Sequence, residues 1–210
     1  MLYKTLSAAV YGVNANIIEV EVDVSGIKQN EDHFHTVGLP DAAVRESRDR
    51  VRAALKNCGY DIPPTDITIN LAPADIRKEG SGFDLPMALG ILGAYGGLNK
   101  KEICDALFVG ELSLDGGVRG VRGALPIALE ARCRKVKRVV VPEVNAREAA
   151  MVGDVEVYPV KSLIEVIRYI NSGNGIPRLQ VDREQLLSEA QHFLVDFKDV
   201  RGQQTAKRAL

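Results

Sequence analysis

Neither sign of charge prevails in this chain: 27 Lys and Arg stand against 28 Asp and Glu. A chain so balanced has no global field to draw in nucleic acid or a membrane surface, so any site for a polyanion has to be a local patch. Cysteine is scarce as well. Cys58, Cys104 and Cys133 are odd in number, far apart and without CxxC spacing, which fits inert thiols in a reducing cytoplasm. The opening Met1-Leu-Tyr-Lys-Thr-Leu has no basic stretch followed by an apolar core, so no signal peptide is expected. No apolar run approaches the roughly 20 residues of a membrane-spanning helix. The longest weakly polar stretch, Phe83 to Gly97, is broken by Asp84 and by glycines, and reads as a buried helix. Also missing is any GxxxxGK[ST] run, the loop whose backbone N–H groups wrap a phosphate while a lysine reaches its end. No internal repeat or low-complexity segment occurs.

What is present is globular in balance, with 46% apolar residues. Residues 3–11 and 16–24 read as strands of a hairpin turning at Asn14-Ala15-Asn16. Ile18, Val20, Val22 and Val24 alternate with Glu19, Glu21 and Asp23, the period of two of a half-buried strand. A third strand is expected over 33–38. Asp41 reads as the N-cap and Gly59 as the stop of a helix over 42–57, with Val44, Val51 and Leu55 inward and the pairs Arg45/Asp49 and Glu46/Arg50 toward solvent. A strand over 66–71 leads into a loop of Pro, Arg, Lys and Gly. Beyond Ser81 strands and helices alternate: helix 84–95, strand 106–113, helix 122–134, strand 138–142, short helix 145–151, strand 155–159 and helix 162–171. Antiparallel strands followed by βαβ-type units argue for an α/β (α+β) domain with a mixed sheet, about 170 residues long. Ser172-Gly-Asn-Gly-Ile-Pro is turn chemistry and marks a boundary. The expected organisation is a domain over 1–172, a linker with a short helix at 183–193 over 173–195, and the start of another domain over 196–210. The chain stops inside a helical pattern at 203–210 with neither cap nor polar tail, so the sequence reads as a piece of a longer protein.

Four constellations carry possible chemistry. Gly116-Gly-Val-Arg-Gly-Val-Arg-Gly lies between a strand and a helix. It is either a tight turn or an anion site built from Arg119, Arg122 and the following helix N-terminus. Arg132, Arg134, Lys135, Lys137 and Arg138 form the densest basic cluster, either a nucleic-acid contact or a solvated helix end favoured by the helix dipole. His33 and His35 share a strand face but lack the third ligand a metal site needs, so no metal is expected. Ser81, in Arg77-Lys-Glu-Gly-Ser-Gly-Phe-Asp, sits between a strand and a helix where a nucleophile could be displayed. A serine needs a base, and no histidine or buried lysine is placed beside it by pattern, so a cap or turn role is expected.

The segment from Asp66 to Asn171 resembles the proteolytic domain of Lon proteases. That family's nucleophile loop reads Pro-Lys-Asp-Gly-Pro-Ser-Ala-Gly. Registering Lys78-Glu79-Gly80 on its Lys-Asp-Gly puts Ser81 at the family's Pro and Gly82 at its nucleophilic Ser. Gly110-Glu111-Leu112 matches the Gly-Glu-[Ile/Leu] strand that precedes the Lon lysine. Counting forward without a gap puts Leu125 at the lysine position. The resemblance therefore implies a Lon-like domain with both members of the Ser–Lys pair missing and no catalytic residue, Ser81 being the one residual candidate.

A resemblance covering the whole chain is carried by Val37-Gly-Leu-Pro-Asp-Ala-Ala-Val-Arg-Glu-Ser-Arg-Asp-Arg-Val-Arg-Ala-Ala-Leu, by Asn70-Leu-Ala-Pro-Ala-Asp-Ile-Arg-Lys-Glu-Gly and by Phe83-Asp-Leu-Pro-Met-Ala. These are similar to the N-terminal domain of the magnesium-chelatase-like AAA+ proteins of the ComM (YifB) family. Asp196-Phe-Lys-Asp-Val-Arg-Gly-Gln-Gln-Thr-Ala-Lys-Arg-Ala-Leu is similar to the opening of that family's ATPase domain. The resemblance implies a cytoplasmic ATPase, homo-oligomeric as a hexameric ring, acting on DNA in branch migration and recombination during natural transformation. ATP and Mg²⁺ are expected in the ATPase domain and no cofactor in these residues. On this reading the fragment is not itself an enzyme, and Arg119, Arg122 and the 132–138 cluster are candidate DNA or subunit contacts. The competing expectations are an ATP-dependent serine protease using Ser81 with a base such as Lys78, and a magnesium-chelatase subunit.

Overall fold

Strand β1 (Leu2–Tyr11) runs into β2 (Asn14–Ile27) through Gly12 and Val13, and the two pair in antiparallel register from Tyr11↔Asn14 to Leu2↔Asp23. The expected turn at 14–16 is therefore two residues late. Gly12, at φ 58°, takes the left-handed position of the reversal, which frees Asn14, Ala15 and Asn16 to pair with β1. In this computed structural model the described residues are 1–27, 33–99, 103, 105–182 and 197–209. They form two compact units, Met1–Leu179 and Gln180–Leu210.

The first unit is built on a seven-stranded mixed sheet. Besides β1 and β2 it contains β3 (Phe34–Val37), β4 (Thr65–Ala72), β5 (Ala106–Phe108), β8 (Arg138–Pro142) and β9 (Glu156–Val160), in the order β3-β4-β2-β1-β5-β8-β9. β5, β8 and β9 are parallel, and β1 joins them through a single registered pair, Leu6↔Leu107. A small hairpin of β6 (Glu111–Leu112) and β7 (Val118–Arg119) stands apart from this sheet. The continuous strand expected over 106–113 is thus broken. Gly110 leaves the ladder, its N–H donating to the Gly82 carbonyl at 3.0 Å and its carbonyl accepting from Leu85 N.

Alternation along the strands divides the core into two layers. Val22, Val20, Ile18, Ile69, Leu71, Phe108 and Val140 face one way, and all lie in the main hydrophobic cluster. On that side pack α1 (Ala42–Asn57), α2 (Asp84–Ala94) and α5 (Leu163–Ser172), whose apolar residues complete the cluster. Leu107, Val139 and Val141 face the other way, toward α3 (Ala124–Cys133) and α4 (Glu143–Ala150). Removing each such apolar side chain from water contributes about 1.5–3 kcal/mol, so the sheet is stabilised from both faces. The second layer covers only part of its face. Beyond it Lys4 of β1 reaches Glu19 and Glu21 of β2 at 3.0 and 2.6 Å, an exposed network that holds the Lys4 ammonium up at about 12.

Helix α1 has the bounds the sequence predicts. The Asp41 carboxylate accepts from Val44 N at 2.8 Å, and Val44, Val51 and Leu55 are buried. One side chain breaks the expected pattern: Arg50, expected in solvent beside Glu46, turns inward to Asp84, and Asp49 pairs with Arg48. Ser162 caps α5 by accepting from Glu165 N. Ile176 is buried in the main cluster and Leu179 N donates to Val157 O, so the first unit runs a few residues past the Gly173–Pro177 turn. In the second unit a 3-10 turn (Phe197–Asp199) and a helix, α6 (Gln204–Ala209), are described. The helix expected over 183–193 and Cys104 lie outside the described residues. No helix among the described residues is long and apolar enough to cross a membrane.

Candidate functional site

The loop from Ala72 to Phe83 forms one wall of a cleft, and its position follows from four tethers. Lys78 N donates to Leu39 O at 3.2 Å and Lys78 O accepts from Asp41 N at 3.0 Å. Asp41, already the cap of α1, takes Gly80 N on its second carboxylate oxygen at 3.2 Å. Lys78 is the largest fully buried side chain among the described residues, and its Nζ donates to the Pro73 carbonyl. Burial holds the Lys78 ammonium below its ordinary pKa, with Asp75 partly opposing that. No local pattern signals this burial, because the flanking Arg77 and Glu79 are exposed and paired with each other at 3.0 Å.

Below this loop lies a buried ion pair. Asp84, the first residue of α2, receives Arg50 Nε at 2.7 Å, Arg50 NH2 at 3.1 Å and Leu112 N at 3.1 Å. Burial pushes the Asp84 carboxyl up, while the Arg50 fork and the Leu112 N–H oppose it. The pair ties α1, α2 and β6 together beneath the cleft. The charge of Asp84 inside an otherwise apolar stretch was the signal for it, since a buried carboxylate needs a partner.

The second wall is the segment 120–125, between β7 and α3. It is gripped by α4. Asn145 Oδ1 accepts from Val121 N at 2.8 Å and Asn145 Nδ2 donates to Val121 O at 2.9 Å, so one side-chain amide pairs with a backbone unit as a neighbouring strand would. Glu148 accepts from Leu125 N at 2.9 Å and from Asn145 Nδ2 at 3.4 Å. Gly120 fits because a Cβ there would come within 2.8 Å of Val144 Cγ2 and 3.3 Å of Asn145 Oδ1. Gly123, at φ 78° and packed on Val10, starts α3.

Between the walls is a cleft of about 540 Å³ at the seam where β1 meets β5. Ala8, Val10, Val109 and Ile127 form its apolar floor, and Ser81, Gly82, Glu111 and Arg122 stand around it. Crevices at the carboxyl ends of strands, where strand order reverses, are the usual ligand positions of open α/β sheets. The Ser81 hydroxyl donates to Glu111, whose other oxygen receives Arg119 NH1 at 3.5 Å. Ser81 is a turn residue as expected, its carbonyl accepting from Asp84 N, but its hydroxyl does not cap α2. Gly82 lines the cleft, where a Cβ would touch Val121 Cγ1 at 3.4 Å. Leu125 sits on the first turn of α3 with 38% exposure, and Ile127 is the α3 residue that lines the cleft. Lys78 Nζ and Ser81 Oγ have separate partners, Pro73 O and Glu111.

Arg122 is exposed at this cleft and has no ion-pair or hydrogen-bond partner among the described residues. The carboxylates around it are engaged: Asp41 by two backbone N–H groups, Glu79 by Arg77, Glu111 by Ser81 and Arg119. The 132–138 cluster is arranged differently. Arg132 donates to Val152 O, Arg134 pairs with Glu130 at 2.8 Å, Lys137 lies 3.8 Å from Asp105, and half-buried Arg138 donates to the Tyr169 hydroxyl at 3.4 Å. Lys135, exposed at φ 59°, is the turn residue after α3. His33 and His35 stack with ring centroids 5.9 Å apart, and no group of three or more His, Cys, Asp or Glu among the described residues could hold a metal.

Comparison with known proteins supplies the context. Residues 20–145 match the family model described as subunit ChlI of Mg-chelatase. The competence protein ComM of Haemophilus influenzae is 40% identical over 205 residues, covering 97% of this chain and 40% of that protein. The YifB protein of Escherichia coli K12 is 37% identical over 202 residues, with 96% and 38% covered. Lon protease 2 of Bacillus subtilis is 28% identical over 179 residues, with 76% and 31% covered. The chain spans about two fifths of the length of the ComM and YifB proteins it matches.

Proposed function

Because the chain belongs to the magnesium-chelatase ChlI family, on the branch of ComM and YifB, we propose that it is the protease-dead, Lon-like module of a AAA+ motor that works on DNA. The observation that carries this reading is the lining of the cleft: Arg122, without an ion-pair or hydrogen-bond partner among the described residues, and Gly82, which the Lon resemblance registers on the nucleophilic serine. A serine acts as a nucleophile only when a neighbour takes its proton. In a Lon-type dyad that neighbour is a lysine, whereas here the amine of Lys78 is bonded to Pro73 O and the Ser81 hydroxyl donates to Glu111, a carboxylate also held by Arg119.

On this reading ATP and Mg²⁺ bind outside these residues, which contain no GxxxxGK[ST] run. The motor is a cytoplasmic homo-oligomer, a hexameric ring, serving branch migration and recombination in natural transformation. Arg122 is its leading phosphate contact, Arg119 the second because it must first leave Glu111. The cations at 132–138 rank lower, since Arg132, Arg134, Lys137 and Arg138 have intramolecular partners. The test is binding of branched and single-stranded DNA by the whole protein at two salt concentrations. Charge reversal of Arg119 and Arg122 is expected to weaken binding several-fold and to flatten the dependence of log K on log salt by about 0.9 for each duplex phosphate, or about 0.7 for each single-strand phosphate, no longer neutralised. Unchanged affinity and slope remove both residues from the site.

The rival reading is an ATP-dependent protease acting through Ser81, favoured by the position of Ser81 on the cleft and by its hydrogen bond to Glu111. It requires covalent labelling of Ser81 by a serine-directed probe in the assembled protein, and we expect none. A chelatase role finds no ligand cluster among the described residues.

A further inference from the structure

We infer that Asn145 is a positioning residue for the cleft arginine: α4 clamps the 120–125 segment by its backbone so that Arg122 stands at the cleft with its charge unspoken for. This inference rests on the DNA-contact reading of Arg122 above. A loop that offers a cation to a phosphate has two requirements that conflict. Its backbone has to be held, since an unordered loop loses conformational entropy on binding, and the holding must not engage the guanidinium. A carboxylate reaching Arg122 would meet the first requirement and fail the second. Asn145 meets both. Its amide is neutral, it is only 9% exposed, and it supplies one acceptor and one donor to Val121, the residue immediately before Arg122. Glu148 adds an acceptor for Leu125 N on the far side of the arginine. The one charged group of the clamp is thereby directed at a backbone N–H. The flanking glycines agree: Gly120 permits close approach to α4 and Gly123 lets the chain leave the clamp directly into α3.

The contrast with Arg119 isolates the effect. Arg119 lies on β7 and is held through its side chain, by Glu111 at 3.5 Å. The segment carrying Arg122 is held through the backbone of Val121 and Leu125, with no bond to the guanidinium among the described residues. A phosphate therefore competes with a carboxylate for Arg119 and with nothing for Arg122.

The experiment is a double-mutant cycle on the whole protein with single-stranded DNA of fixed length, read as affinity and salt slope. Alongside it, hydrogen exchange is measured at the Val121 amide. Arg122→Ala is expected to weaken binding several-fold and to reduce the salt slope by about 0.7, the value for one phosphate of a single strand. Asn145→Ala is expected to accelerate exchange at Val121 and to reproduce the loss in affinity and slope. The double variant is expected to be no weaker than Arg122→Ala alone. Where Asn145→Ala does not fold, Asn145→Ser, which is short of the full pair of hydrogen bonds, enters the same cycle. If Arg122→Ala weakens binding and the Asn145 variant does not, although Val121 exchange is faster, the positioning role is overturned and the DNA reading stands. A double variant weaker by the product of the two single losses also overturns it, because the two residues then act independently. If Arg122→Ala binds as the parent does, the DNA-contact reading itself fails, and the inference with it.

Discussion

The two walls of the cleft are held in place by opposite means. The 72–83 wall is fixed by ionisable groups drawn inward: a buried lysine on a carbonyl, an aspartate divided between a helix cap and Gly80 N, and a buried aspartate gripped by Arg50. The 120–125 wall is fixed by the neutral amide of Asn145 and by Glu148 on a backbone N–H, which leaves Arg122 outside the network. One wall has turned its charges into structure, whereas the other keeps an arginine available. The interactions that shape the two loops are thus of different kinds, and only one of them leaves a charged side chain at the cleft without an intramolecular partner among the described residues.

This contrast predicts a graded set of stability effects in denaturant unfolding. Asp84→Ala should be the most costly, by about 3 kcal/mol or more, because it leaves Arg50, 23% exposed, without its anion and Leu112 N without an acceptor. A loss below about 0.5 kcal/mol would break the claim that buried charge holds this wall. Lys78→Met should instead stabilise the protein by about 1 kcal/mol at neutral pH, since an apolar side chain of similar length removes a desolvated ammonium. The sign of its pH dependence follows from the lowered folded pKa. Between that value and the unfolded value of about 10.4 the native state binds fewer protons, so parent stability rises with pH through this window. The variant lacks that rise, so its advantage is greatest below the window and should vanish toward its upper end. An advantage independent of pH would show that the amine is not the cause. Ser81→Ala should cost at most about 1 kcal/mol, the value of one hydrogen bond to a group that retains Arg119. Arg122→Ala should change stability least, within about 0.5 kcal/mol, as a surface substitution without structural partners. A large loss there would mean that this wall, too, depends on charge.

Much of the framework was legible in the sequence where a local signal existed. The alternation of Ile18, Val20 and Val22 placed β2 and its buried face, and Asp41 placed the start of α1. The alternating elements beyond Ser81 announced the parallel half of the sheet. Legibility ended where an interaction joins residues distant in the chain. Arg50 looked like a solvent partner for Glu46 because helical spacing cannot reveal a carboxylate on another helix. No pattern marked Lys78 as buried between Arg77 and Glu79, and only the approach of Pro73 and Leu39 reveals it. Asn145 carried no signal, since an amide that captures a remote backbone unit has no sequence period. The basic run at 132–138 looked like one patch, yet a turn at Lys135 and several separate partners disperse it.

The single registered pair between Leu6 and Leu107 has a bearing on how this molecule assembles. Strands β1 and β2 meet through a two-residue reversal, whereas β1 and β5 bring together distant parts of the chain with little backbone bonding to reward the encounter. Long-range closures of this kind are slow, because chain entropy has to be surrendered before contacts compensate for it. The hairpin should therefore be an early event in refolding and the β1–β5 junction a late one, so the cleft floor would form only after most of the polypeptide has found its place.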